Sequence, residues 1–244
     1  MGEFFNGIAQ WFQSTWSSLS ADFVNNFITK NRWEYITDGL GITLEVTFFA
    51  VLLGIILGFI IAIIRSTHDK TGKLKFPNAI CKLYLTIIRG TPMAVQLMIM
   101  YFIIFAPLQW DRVPVAILAF GINSGAYVAE IIRGGIMAVD EGQMEAGRSL
   151  GLNYIQTMYS IILPQAYKSV LPALGNEFIV LLKETSVCSF IGLNDLTRGG
   201  DIIRGVTYSD FMPLIAVALI YLVIVVILSK LVSLLEKRLR NSER

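Results

Sequence analysis

Charge is what this sequence has least of: Asp, Glu, Lys and Arg make up 16% of its 244 residues, against 55% hydrophobic. An ordinary globular domain carries about 25% charged residues, so roughly a third of the usual charge is missing. A mean hydropathy of +0.62 points the same way, and most soluble proteins are excluded. Cysteine is nearly absent too. Cys81 and Cys188 stand far apart in apolar surroundings, which excludes a disulfide-framed secreted domain and reads as two buried thiols. The net charge of +2 is too small to argue for nucleic acid. A single histidine, His68 beside Asp69 in a basic loop, reads as a solvated side chain. No His, Cys, Asp and Glu set has metal-ligand spacing, and no G-x-x-x-x-G-K-[ST] loop is present to bind ATP. The first 30 residues lack the basic start and continuous apolar stretch of a signal peptide.

What the sequence does have is long uncharged runs, the mark of a polytopic membrane protein folded as one domain. They cover residues 46–64, 90–110, 113–129, 149–167 and 211–229, between 17 and 21 residues each. About 20 residues cross a hydrocarbon core of roughly 30 Å, so the pattern predicts an all-α bundle of five transmembrane helices. The first and last runs read as ordinary lipid-embedded helices. The middle three carry Pro92, Pro107, Asn123 and Pro164, with Pro172 just beyond, and Arg89, Glu130, Lys168 and Glu177 stand at their edges. Broken backbone and ionisable groups are tolerated in lipid only against protein or water, which makes these spans the expected functional interior.

Lys and Arg near the span ends set an expected orientation. Eleven fall on the side that holds the loops after the first and third runs and the C-terminus, and six on the other. That places the N-terminus outside and the C-terminus in the cytoplasm. Ahead of the spans, Phe4, Ile8, Phe12, Trp16, Leu19, Phe23 and Phe27 recur every three or four residues, with Asn6, Gln10, Ser17, Asp22 and Asn26 opposite. Residues 1–35 therefore read as an amphipathic region that lies on the outer leaflet or packs on the bundle. Residues 36–244 form the membrane domain, and no internal repeat appears.

The most specific pattern lies between the third and fourth runs: Glu145-Ala146-Gly147, three residues, Gly151, nine residues, Ile161, one residue, Leu163-Pro164. It resembles the EAA signature of the membrane subunits of binding-protein-dependent ABC importers, with Gly147 in place of the third-position alanine. IIRGTPMAVQL at 87–97 and NSGAYVAEIIRGGI at 123–136 resemble the polar amino-acid branch of that family. The likeness extends over residues 39–235.

Local chemistry agrees with a short helix at about 140–151. Asp140 and Glu141 suit a helix N-terminus, Gln143 to Leu150 reads as helical, and Gly151 suits a left-handed stop. The resemblance implies that this helix is a cytoplasmic peg that docks into an ATPase subunit, with Asp140, Glu141, Gln143, Glu145, Ala146, Gly147 and Gly151 as its coupling residues. It further implies an ATP-binding cassette ATPase dimer that holds ATP and Mg, an extracytoplasmic substrate-binding protein, and a second permease chain, identical or not. The chain itself is then no enzyme and carries no cofactor. A purely structural scaffold does not fit this signature.

A polar solute needs hydrogen-bonding groups at depth. Asn123, Tyr127 and Glu130 share one helix face at i, i+4 and i+7, with Ser124 beside it. Gln96 and Met100 follow Arg89 and Thr91, and Glu177, Lys183, Glu184, Thr185 and Ser186 form a second polar set. Of these, Gln96, Met100, Asn123, Ser124, Tyr127, Glu130, Glu177, Thr185 and Ser186 are the candidate substrate contacts. Alternatives stay open: Glu130 can instead pair with Arg89, Arg133 or Lys168. Gln96 and Asn123 can serve as interhelical bonds, and the GINSG run can be a close-packing face. A secondary transporter driven by an ion gradient is the rival reading, although such folds commonly carry repeats.

Overall fold

The structure is a computed structural model that describes residues 16–241, and within them every regular element is helical. Residues 16–23 form α1. A π-helical turn, Val24–Ile28, and a 3-10 turn, Thr29–Asn31, follow it. Positive φ angles at Lys30 and Asn31 turn the chain into α2, Trp33–Thr71. Of the amphipathic pattern, Phe4, Ile8 and Phe12 lie outside the described residues. Trp16, Leu19 and Phe23 are exposed, whereas Phe27 is buried against Ile36, Leu196, Ile203 and Val217. Asn26, on the polar side of the sequence pattern, is also buried. Its Oδ1 accepts from Thr207 Oγ1 at 2.8 Å. The π-helical turn breaks the periodicity there, so the segment after Phe23 docks on the bundle instead of continuing α1.

With 39 residues, α2 is about 58 Å long at 1.5 Å per residue. It outreaches the uncharged run 46–64 at both ends. Next come α3, Lys75–Gly90, and α4, Met93–Ile99, continued by a π-helical turn Met100–Ile104. The second uncharged run is therefore not one straight helix: Lys75–Gly90 and Met93–Ile104 meet at 107°. Pro92, whose ring excludes a continuing helix through residue 91, stands at the break as the N-cap of α4. The third run lies within α5, Arg112–Met137.

The run 149–167 differs most from its expected form. It opens at the end of α6, Glu141–Ser149. After a short loop the chain re-enters helix as α7, Tyr154–Thr157, a π-helical turn Met158–Ile162, and α8, Leu163–Glu184. Charged residues on α8 ended the run at 167, while the backbone stays helical to 184. A 3-10 turn, Thr185–Ile191, leads to α9, Leu196–Thr207, and then α10, Phe211–Asn241. Among the described residues three helices are long and apolar enough by themselves to cross a membrane: Trp33–Thr71, Arg112–Met137 and Phe211–Leu239. The bent α3–α4 pair is a fourth candidate.

The centre of the bundle is the crossing of α2 and α5. A Cβ on Gly54 would lie 2.9 Å from Ser124 Oγ, and one on Gly58 would lie 2.6 Å from Val128 Cγ1. Only glycine lets the two helices approach this closely. Around the crossing, Val46, Ala50, Leu97, Phe120 and Leu181 form a core that excludes solvent. A second core, toward α6, joins Ala62, Val128, Ile136, Ile162 and Ala166.

Candidate functional site

One side of α5 carries three rungs. Asn123, Tyr127 and Glu130 span seven residues, about 10 Å along the helix, and each meets a different neighbour. At the first rung Asn123 Nδ2 donates to Gln96 Oε1 at 3.1 Å. Gln96 Nε2 in turn donates to Ile88 O at 2.7 Å, Thr91 Oγ1 at 2.7 Å and Thr91 O at 3.1 Å. The last carbonyls of a helix have no partner within it, so Gln96 caps the broken end of α3 and Asn123 ties that break to α5.

At the second rung the Arg89 guanidinium stands over the Tyr127 ring, 5.6 Å from its centre. At the third, Glu130 accepts from Arg65 Nη1 at 2.6 Å and from Arg133 Nη2 at 3.0 Å, and Arg133 also reaches Asp69 at 3.7 Å. Of the three partners open to Glu130 in the sequence, the structure selects Arg133. It adds Arg65, the first charge after the first uncharged run. A cavity of about 590 Å3 opens beside the second and third rungs, between α3, the end of α2 and α5.

The remaining candidates lie elsewhere. Ser124 is buried on another side of α5, where its Oγ donates to Glu177 Oε1 at 2.9 Å. Glu177 is half-buried on α8. Thr185 is fully buried and donates to Leu182 O at 2.7 Å, which makes it part of the packing at the end of α8. Ser186 is half-buried in the 3-10 turn, and Met100 packs on the central core. The structure thus brings Gln96, Asn123, Tyr127 and Glu130 together, pairs Ser124 with Glu177, and leaves Met100, Thr185 and Ser186 apart. Sequence reasoning missed Arg65 and gave Arg89 no role of its own. The signals for Arg89 were its charge at the edge of a middle span and its place beside the Gly90-Thr91-Pro92 break.

The second candidate feature is α6. Asp140 caps it by accepting from Gly142 N at 2.7 Å, and Glu141 sits in its first turn. At its far end Leu152 N donates to Gly147 O at 3.1 Å and Gly151 N to Arg148 O at 3.0 Å. With Gly151 at φ 84° this is a Schellman stop, which disfavours any residue with a Cβ. Directly after it, Asn153 and Gln156 form a reciprocal capping box that starts α7. The turn is therefore specified from both sides.

Gly147 is the buried point of α6. A Cβ there would lie 2.5 Å from Thr157 Cγ2, which explains glycine where the signature has alanine. Gln143, Glu145 and Ala146 face outward, and Leu150 is 80% exposed at the tip. A groove of about 900 Å3, lined by Asp69, Lys70, Glu141, Glu145 and Arg148, runs between α6 and the end of α2.

At the opposite end of the molecule Asp195 caps α9, its carboxylate accepting from Thr197 N at 3.0 Å and Arg198 N at 3.2 Å. Burial pushes its carboxyl up to about 6, and the two backbone bonds only partly offset this. Among the described residues no group of three or more His, Cys, Asp or Glu is placed to hold a metal ion.

The family model described as "binding-protein-dependent transport system inner membrane component" matches residues 54–241. The chain is 38% identical over 211 residues to the arginine transport system permease protein ArtQ of Bacillus subtilis, covering 86% of this chain and 94% of that one. It is 34% identical over 216 residues to the L-cystine transport system permease protein TcyB of the same organism, covering 88% and 90%. Among solved structures, an amino acid ABC transporter crystallised with histidines matches at a TM-score of 0.78 and 44% identity, over 87% of this chain and 98% of that one.

Proposed function

The chain belongs to the inner-membrane components of binding-protein-dependent transport systems, and from that premise we propose how it carries its substrate. It is the permease subunit of an ABC importer for polar amino acids and has no enzymatic activity of its own. A separate ATPase hydrolyses ATP, and a substrate-binding protein delivers the ligand. No observation favours an ion-gradient transporter.

We propose five crossings: α2, the bent α3–α4 pair, α5, α8 and α10, with the N-terminus outside and the C-terminus in the cytoplasm. The excess of Lys and Arg at the α6 end supports this orientation. On this reading residues 1–35 form the N-terminal region, with α1 at the interface and the segment after Phe23 docked on the bundle, and 36–244 the permease domain. Five crossings are too few to enclose a path, so two permease chains pair, identical or not. The carrying observation is α6, a short helix stopped rigidly at both ends and exposed along Gln143, Glu145, Ala146 and Leu150. It docks on the ATPase, with Asp140, Glu141, Gly147 and Gly151 fixing its shape. Closure of the ATPase dimer then moves α6 and, through Gly147 on Thr157, the helix that follows it. The path opens alternately to either side. Gln96, Asn123, Tyr127 and Glu130 line it, and Ser124 with Glu177 stand on a second wall.

The test is co-purification with the ATPase, followed by uptake of an amino-acid panel. A complex that forms and accumulates amino acids only with ATP supports the reading. A chain that never associates with an ATPase contradicts it.

A further inference from the structure

Three polar residues of α3, Lys82, Thr86 and Arg89, recur at i, i+4 and i+7 and so share one face. All three are exposed in the single chain and border the cavity of about 590 Å3 beside Tyr127 and Glu130. Its charges do not balance internally. Glu130 is the one carboxylate on that cavity, and both its oxygens are engaged by Arg65 and Arg133. Thr86 donates to Lys82 O at 2.9 Å, within its own helix. Among the described residues no carboxylate lies within ion-pair distance of Lys82 or Arg89. The neighbour of Arg89 is the face of the Tyr127 ring.

Two unpaired cations on a membrane helix are tolerated only where they face water or an anion that visits. The ring holds the guanidinium at 5.6 Å from its centre, and among the described residues no acceptor engages the guanidinium N–H groups. A guanidinium fork with unengaged N–H groups receives a carboxylate with two parallel hydrogen bonds. We propose that Arg89, positioned by Tyr127 and assisted by Lys82, is the binding site for the α-carboxylate of the transported amino acid. This deepens the permease reading and rests on it. It also separates two roles on α5, since Tyr127 presents the substrate-binding cation while Glu130 braces α2.

The experiment uses the complete complex of permease and ATPase. In proteoliposomes that also hold the substrate-binding protein, ATP-dependent uptake of L-arginine, L-histidine, L-glutamine and L-cystine identifies a transported amino acid. Binding of that amino acid to the detergent-purified complex, without the binding protein, is then read as a thermal shift. The probe is set against its carboxyl-free amine, such as agmatine for arginine or histamine for histidine. In the wild type the amino acid is expected to shift the transition and the amine to leave it unmoved. Arg89→Gln is expected to weaken amino-acid binding by at least about tenfold. An amine that shifts the wild type as strongly as the amino acid overturns the proposal, and so does an Arg89→Gln complex that binds the amino acid unchanged. Should Arg89→Gln not assemble, Arg89→Lys decides. It keeps the charge but loses the fork, and an unaltered half-saturation for uptake refutes the assignment. A wild-type complex that takes up no amino acid brings down the permease reading and this inference with it. Uptake that is normal in both wild type and variants brings down the inference alone.

Discussion

Glu130 Oε1 accepts a hydrogen bond from Arg65 Nη1 at 2.6 Å, closing an ion pair between α5 and the end of α2. The pair is half-buried, with side-chain exposures of 24% and 16%, and Arg133 extends it on the Glu130 side. The network reaches Asp69, which lines the groove beside α6. It therefore joins the polar face of α5 to the part of α2 nearest α6.

Removing the carboxylate leaves two arginines facing each other, which is worse than deleting the whole network. Alanine at both Asn123 and Glu130 is expected to abolish uptake while the complex with the ATPase still forms. Normal uptake by the double variant would sink the assignment of this face to the path. Arg65→Met added to Glu130→Ala is expected to recover thermal stability relative to Glu130→Ala, which a melting experiment in detergent reads.

The stop of α6 gives a separate prediction. A β-branched residue at φ 84° is strained by roughly 1–2 kcal/mol, so Gly151→Val should displace the tip of the peg. The expected result is a complex whose ATPase activity no longer responds to liganded binding protein. An unchanged substrate-stimulated rate would refute the role given to the stop.

The α2–α5 crossing is tested by Gly58→Ala. The new methyl meets Val128 Cγ1 at 2.6 Å, Val128 Cβ at 2.7 Å and the backbone nitrogen of Ala129 at 2.8 Å, and a backbone atom cannot swing aside. A loss of about 1–3 kcal/mol is expected, seen as a lower unfolding temperature. Adding Val128→Ala removes Cγ1 but leaves the Cβ and Ala129 nitrogen contacts, and should rescue only partly. Full rescue would place the strain wholly on the Val128 γ-methyls.

Asp195 should leave a pH signature. Its carboxyl is raised to about 6 in the fold from an ordinary value of 3.8, so between those values the folded protein binds more protons than the unfolded chain. Stability then falls as pH rises from 4 to 6 and levels off above. Asp195→Asn keeps a helix-capping side chain and removes the titration. Thermal melts across this range should be flatter for the variant, and identical slopes would contradict the buried, raised carboxyl.

Local signals explain what was legible in the sequence. Asp140 and Gly151 delimit α6 because a capping carboxylate and a left-handed glycine act within one turn of chain. The apolar runs at 46–64, 113–129 and 211–229 fall inside α2, α5 and α10 because hydrocarbon demands unbroken apolar sequence. The same rule misplaced α8, which carries Lys168, Glu177 and Lys183, the first two half-buried and the third exposed. It also hid α3, with Lys75, Lys82 and Arg89 along it. Pairings such as Gln96 with Asn123, or Arg65 with Glu130, depend on how α2, α4 and α5 cross. Nothing in their spacing along the chain announces that.

The central claim is that ATP hydrolysis on another polypeptide drives amino acids through this chain. The direct measurement is uptake by proteoliposomes that hold the permease, its ATPase and its binding protein, with proton and sodium gradients collapsed by ionophores. Accumulation that requires ATP and survives the ionophores is the predicted result. Accumulation that stops with the gradients and proceeds without ATP would contradict it.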